Sequence, residues 1–230
     1  MERKKLSLEE LDAIAYKDEK GNTILNQVIE REEQKDAQKF IPSHAVVLEL
    51  GGRYGLAAAV INHQLDYPTQ HIVVEPDPTV QAALEENRNS HHCLYRIFHG
   101  AVSRQPLYFY SFGFCSFCSP LPNDTPIKTL TLEVLQEVYG ITKFTHLVAD
   151  CEGGLIDFFE ENREFFSHLE GIYFEADTKN GMQVDYEGMK SFLRKKGFEP
   201  KQTGFREYWE RVKLGSDLAA YCQVYATDSS

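Results

Sequence analysis

Short apolar runs rich in β-branched residues recur along this chain, each succeeded by a stretch of helical periodicity. Ala45-Val46-Val47-Leu48 is one and His71-Ile72-Val73-Val74 another. Such a run reads as a strand covered on both faces, because a solvated face would place polar residues at every second position. Further strands are predicted at Leu94–Phe98, Thr145–Ala149 and Gly171–Ala176. Helices are predicted from Leu56 to Leu65 and from Asp77 to about Asn89, with Asp77 as N-cap and Pro78 at the first helical position. Another runs from about Thr131 to Val138 before Gly140, and one around Met189, Phe192 and Leu193 stops at Gly197. Leu155, Phe158, Phe159, Phe166 and Leu169 stripe one face of a further helix and read as core packing. This alternation implies an α/β fold with a mostly parallel sheet and right-handed crossovers. Two last strand-like runs, Phe198–Phe205 and Leu218–Ala226, are close enough to pair as an antiparallel edge.

Residues 1–43 read as a separate N-terminal helical extension. Ser7 and Glu10 fit a capping box, with Leu11 and Ile14 as apolar positions. A turn at Gly21-Asn22 precedes a second stretch carrying Leu25, Val28 and Ile29. This lead-in is expected to be mostly solvated and is a candidate lid over an active site. Residues 44–230 then form the main domain. A chain of 230 residues buries roughly 70% of its unfolded surface and needs no staple.

No apolar run approaches the ~18 residues of a membrane span. The N-terminal MERKKLSLEE has basic residues but no apolar segment behind them, so a cytoplasmic location is expected. The net charge of −11, from 35 acidic and 24 basic residues, speaks against a phosphate-backbone partner. The one compact basic cluster, Arg194-Lys195-Lys196, falls at a predicted helix end, where the dipole favours cations. The five cysteines read as free thiols. Cys115-x-x-Cys118 has metal-like spacing, with His91, His92, Cys93 and His99 upstream, but no second pair completes a zinc set. Tyr108, Phe109, Tyr110, Phe112, Phe114 and Phe117 give residues 103–127 an aromatic character suited to packing an inserted loop or to stacking on a ring.

In an open α/β sheet the ligand lies beyond the carboxyl ends of the strands, so the loop after the Ala45–Leu48 strand is the place to look. It reads Glu49-Leu50-Gly51-Gly52-Arg53-Tyr54-Gly55. About twenty residues on, Glu75 ends the second strand, placed to accept hydrogen bonds from ribose hydroxyls. Both features suit either a nicotinamide dinucleotide or S-adenosylmethionine. The dinucleotide pattern G-x-G-x-x-G fails, because Arg53 and Leu56 stand where glycines are needed. Glu49 would repel a pyrophosphate and attract the ammonium of a methionine moiety.

Taken together, ELGGRYG (Glu49–Gly55), EPDP (Glu75–Pro78), GAVS (Gly100–Ser103), KTLTLEVL (Lys128–Leu135) and DCEG (Asp150–Gly153) resemble, in order and spacing over residues 45–177, the FkbM family of methyltransferases. The resemblance implies a Rossmann-like class I methyltransferase fold, a seven-stranded mostly parallel sheet with an antiparallel edge hairpin. It implies S-adenosyl-L-methionine as methyl donor and O-methylation of a small hydroxylated acceptor, commonly a sugar or glycan. By the match, Glu49, Gly51, Gly52 and Gly55 hold the methionine part. Glu75, with Pro76 and Asp77 beside it, takes the ribose, and Gly100 and Ala101 lie against the adenine. Asp150 and Glu152 sit at the reacting centre, Asp150 also bordering the cofactor. Departures stand at Glu49, Arg53, Thr131 and Val148, where the family has Asp, Asn, an acid and often Lys.

A sugar hydroxyl is a poor nucleophile and needs a base or a metal. Asp150 is the first choice as base or orienter and Glu152 the second, although Asp150 could instead cap a helix starting near Gly154. Glu175 and Asp177 could converge with Asp150 to hold Mg²⁺, but solvated loop acids are the default reading and no metal is expected. A nicotinamide-dependent oxidoreductase and a non-catalytic binding module are the competing readings.

Overall fold

The computed structural model describes residues 6–25, 30–112, 115–179 and 182–212. The buried apolar runs become strands β1 (Val47–Leu50), β2 (His71–Glu75), β3 (Arg96–His99), β4 (His146–Ala149) and β5 (Gly171–Glu175). Phe198–Gln202 (β6) and Arg206–Arg211 (β7) complete a seven-stranded sheet of order β6-β7-β5-β4-β1-β2-β3. Strands β1 to β5 are parallel. Strand β7 runs antiparallel to both β5 and β6. The fold is therefore the Rossmann-like α/β class, with its edge hairpin. The order reverses between β1 and β4, and their carboxyl ends open the crevice where such sheets bind ligands.

Helices α1 (Leu8–Ala13), α2 (Arg31–Phe40), α3 (Leu56–Gln64), α4 (Gln81–Ser90), α5 (Leu132–Tyr139), α6 (Leu155–Glu161), α7 (Arg163–Phe166) and α8 (Glu187–Lys195) accompany the sheet. Strand side chains alternate between its faces. Leu48 and Leu50 pack with Leu135, Phe159, Phe166 and Leu193, the α5–α8 side. Val47 and Val148 pack with Ala37, Ile41 and Ile61, the α2–α3 side. Thr131 caps α5, its hydroxyl accepting from the Val134 N–H at 3.3 Å.

Several boundaries differ from expectation for local reasons. Helix α4 begins at Gln81, not Asp77, because the Asp77 carboxylate is taken up in a turn that accepts from the Thr79 N–H at 2.8 Å. The Phe-rich helix breaks into α6 and α7 at Asn162, whose φ of −131° leaves the helical region. The antiparallel edge is present, but β7 is Arg206–Arg211, while the expected Leu218–Ala226 strand lies outside the described residues. Charged residues disguise β7 in the sequence. Buried Glu207 is matched by Lys190 Nζ at 2.6 Å and by Trp209 Nε1 at 2.8 Å.

The lead-in also departs from expectation. The capping box forms, with Ser7 N–H on Glu10 at 2.6 Å and Glu10 N–H on Ser7 Oγ at 3.1 Å. Between α1 and α2 the chain forms an antiparallel hairpin, Ala15–Lys17 with Thr23–Leu25, turned at Gly21. Val28 and Ile29 lie outside the described residues. The lead-in is mostly solvated, as expected, but it is anchored at a few buried positions. Tyr16 is fully buried beside Leu56 and Tyr95, and α2 buries Gln34 and Ala37 against the sheet.

Leu107–Phe112 forms the extra strand expected there and pairs with Cys115–Ser119 and Pro126–Ile127 in a small antiparallel sheet. Among the described residues, no helix is long and apolar enough to cross a membrane.

Candidate active site

The loops leaving β1 and β4 meet backbone to backbone. Gly51 adopts φ 90°, and a Cβ there would lie 1.7 Å from the Asp150 carbonyl oxygen. The Asp150 N–H in turn donates to the Leu50 carbonyl at 3.0 Å. The first glycine of the turn is thus required by contact with the loop that carries Asp150. Gly52 sits against Val73, and Gly55 opens α3 at φ 81°.

Glu75 closes this turn. One of its carboxylate oxygens accepts from the N–H groups of Gly52 (3.1 Å) and Arg53 (2.6 Å), the other from that of Asp77 (2.7 Å). Burial nevertheless pushes its carboxyl up to about 7. A carboxylate offers about four lone-pair sites, so three are committed to holding the loop. Gly100 and Ala101 succeed β3; a Cβ on Gly100 would lie 2.2 Å from the Lys128 carbonyl, which accepts from Ala101 N–H at 2.9 Å.

These segments wall one cavity of about 470 Å³, within the roughly 300–1,000 Å³ range of small-molecule sites. Every residue expected around the cofactor lines it except Gly55, which lies behind, against Tyr95. Phe109 and Phe117 of the inserted sheet close one side. Among the described residues the wall carries ten carboxylate side chains and a single basic one, Arg53, so the cavity favours a cation over an anion.

Glu49 points to the α2–α3 side, buried beneath the loop, with His71 Nε2 at 2.6 Å from its carboxylate. Asp150 and Glu152 both line the cavity. Helix α6 is capped at Gly154 without a side-chain bond, so Asp150 is not its cap. The Asp150 carboxyl instead faces that of Asp177, their oxygens within 4.8 Å of each other. Burial, with Glu175 and Asp177 nearby, holds Asp150 well above the usual carboxylate range. Carboxyls this close disfavour each other's ionisation.

Asp150, Glu175 and Asp177 offer oxygens within 4.8 Å of one another. They are half-buried, not the solvated loop acids expected, and this set could hold a divalent cation. Arg206 Nη1 stands 3.8 Å from Glu175. Cys118 of the inserted sheet also lines the cavity.

Among the cavity residues that the sequence reading passed over, two stand out. Glu30, at the N-cap of α2, and Glu33, inside its first turn, face the cleft from the lead-in. Their signal was spacing: Glu33 and Gln34 continue to Ala37 and Ile41 at helical intervals, which places Glu33 on the buried face.

No family model matches the chain, and no curated protein matches it either. Several solved structures are similar to it in part. Sp1610 of Streptococcus pneumoniae, assigned as a tRNA (m1A22) methyltransferase and solved with S-adenosyl-L-methionine, is 14% identical, with a TM-score of 0.44 over 83% of this chain and 78% of that one. A Streptococcus agalactiae protein of the NADB-Rossmann superfamily is 13% identical, with a TM-score of 0.46 over 83% and 73%. An O-methyltransferase family protein from Burkholderia thailandensis is 12% identical, with a TM-score of 0.45 over 81% and 57%.

Proposed function

We propose that this chain is an S-adenosylmethionine-dependent O-methyltransferase acting on a hydroxyl of a small acceptor, a sugar being the favoured class. The charge of the cavity wall carries the reading. Against ten carboxylates and one arginine, the pyrophosphate of a dinucleotide would be strongly disfavoured. Two like charges 4 Å apart cost about 4 kcal/mol near a protein surface. The same wall suits a ligand bearing an ammonium and a sulfonium, and it opposes a nucleic-acid backbone.

S-adenosylmethionine would supply an electrophilic methyl group. The chain's part is to align the acceptor oxygen with that methyl and to take up the hydroxyl proton. Glu75, with Pro76 and Asp77, would take the ribose through the acceptor capacity left on its carboxylate, while Gly100 and Ala101 flank the adenine. Gly51, Gly52 and Glu49 lie at the methionine end, and Gly55 supports the turn from behind. Asp150 is the base. Burial, with Glu175 and Asp177 nearby, raises its carboxyl well above the usual carboxylate range, which makes it a stronger base. Glu152 orients the acceptor, and Phe109 and Phe117 exclude water on the acceptor side. No resident metal is proposed.

Calorimetry with S-adenosylhomocysteine and NAD tests the cofactor, and turnover of Asp150→Asn tests the base. Wild type is expected to bind the first ligand and not the second. Asp150→Asn should keep that binding and lose roughly 10²–10⁴-fold in kcat. A folded wild type that binds NAD but not S-adenosylhomocysteine would overturn the reading.

A further inference from the structure

Glu33 has no part in that chemistry, yet it is placed like a ligand-binding group. It is 4% exposed and lines the cavity, and among the described residues no hydrogen bond or ion pair reaches its carboxylate. Burial, reinforced by Asp150, Glu30, Glu49 and Glu175 around it, raises its carboxyl well above the ordinary range. An unpaired buried carboxylate is costly unless a cation meets it. One turn back, Glu30 faces the same wall in a left-handed conformation, φ 57°. Its carboxyl is pushed up to about 7 by burial, with Arg53 opposing the shift. Arg53, the only basic side chain of the wall among the described residues, extends from the glycine turn with its guanidinium 5.2 Å from the Tyr54 ring. Glu33 and Glu30 lie within electrostatic reach of Glu49 and Glu175, and Glu33 also of Asp150, while Arg53 stands in the turn beside Glu75, its N–H on that carboxylate and its charge acting on Glu30.

Two acidic side chains and one guanidinium match an α-amino acid, which carries an ammonium and a carboxylate on one carbon. We propose that Glu33 and Glu30 hold the ammonium, and Arg53 the carboxylate, of the donor's methionine moiety, so that α2 completes the cofactor site. This rests on the methyl-donor reading above. Helix α2 is then part of the binding wall, and it ties cofactor binding to the packing of the lead-in against the sheet.

The test is calorimetry on the full chain with two ligands, S-adenosylhomocysteine and 5′-methylthioadenosine, which keeps the adenosine thioether but lacks the amino acid. Glu33→Gln should weaken S-adenosylhomocysteine roughly ten- to hundredfold, the scale of a charge-assisted hydrogen bond, and leave methylthioadenosine within about twofold. Arg53→Met should act the same way, and melting temperatures of both variants check that they fold. Wild-type affinity for S-adenosylhomocysteine in folded Glu33→Gln overturns the proposal and leaves the methyl-donor reading standing. So does an equal loss for both ligands, or an effect confined to the acceptor KM, which would assign the carboxylates to an amine on the acceptor. A wild type that binds neither ligand overturns both readings.

Discussion

At position 51 the choice of residue is set by a backbone contact before any ligand is considered. With φ 90° and a virtual Cβ 1.7 Å from the Asp150 carbonyl, any side chain must push apart the two loops that frame the cleft. Gly51→Ala is expected to cost at least about 3 kcal/mol, combining left-handed strain with a clash against backbone, read as a lowered urea midpoint. A stability within about 0.5 kcal/mol of wild type would mean that the loops separate freely. The glycine was legible in the sequence; its reason was not, because Asp150 lies ninety-nine residues away. Glu75 behaves likewise. Its position at the end of β2 was readable from spacing, but two of the three backbone donors it satisfies, those of Gly52 and Arg53, become neighbours only when β1 and β2 pair. Glu49 lines the cavity, and only the paired strands show that its carboxylate also meets His71.

Among the elements, α2 changed meaning most. Its many charges suggested a solvated lead-in, yet one stripe, Glu33, Gln34 and Ala37, is buried against the sheet and the cleft. Its first turn is entered through Glu30 in a left-handed conformation, which costs a non-glycine residue roughly 1–2 kcal/mol. Glu30→Gly should therefore stabilise the ligand-free fold by about 1 kcal/mol while weakening S-adenosylhomocysteine binding, an exchange common where a site holds strain. Thermal melts and calorimetry on one preparation would check both. A variant that loses stability would show that the Glu30 side chain holds α2 in place. The inserted sheet was half visible. Leu107–Phe112 alternates plainly enough to be read as a strand, but its place over the cavity depends on the Pro126–Ile127 pairing, which local pattern does not encode.

For the whole molecule, the buried carboxylates link stability to pH with an unusual sign. Glu30, Glu75 and Glu175 are each pushed up to about 7, chiefly by burial, against about 4.3 for an unfolded Glu. Between those values the folded chain holds protons that the unfolded chain has released. The contribution is fully present below the unfolded value and is lost as pH rises through the folded one. Carboxyls held low, such as Asp18 and Glu133, titrate below this window. The melting temperature of the ligand-free protein should fall by a few degrees, on the order of a kcal/mol, between about pH 5.5 and 8. S-adenosylhomocysteine should reduce that fall by placing an ammonium among the acids. A melting temperature that rises across the window in differential scanning fluorimetry would count against the buried acids.

The sequence by itself determined the element types and the parallel core of the sheet, because buried strands, helical stripes and glycine stops are local patterns set by backbone sterics and desolvation. It also determined the main motif positions, Gly51, Glu75 and Asp150, since each sits at a strand end that local pattern marks. Tertiary structure alone decided which charges face the cleft. Desolvation and mutual repulsion act through space, and helix α2 and the loops after β4 and β5 bring Glu30, Glu33, Asp150 and Asp177 together from distant parts of the chain. Partner strands decided the edge as well: β7 reads as polar, and only its place between β5 and β6, with Lys190 over Glu207, makes it part of the sheet.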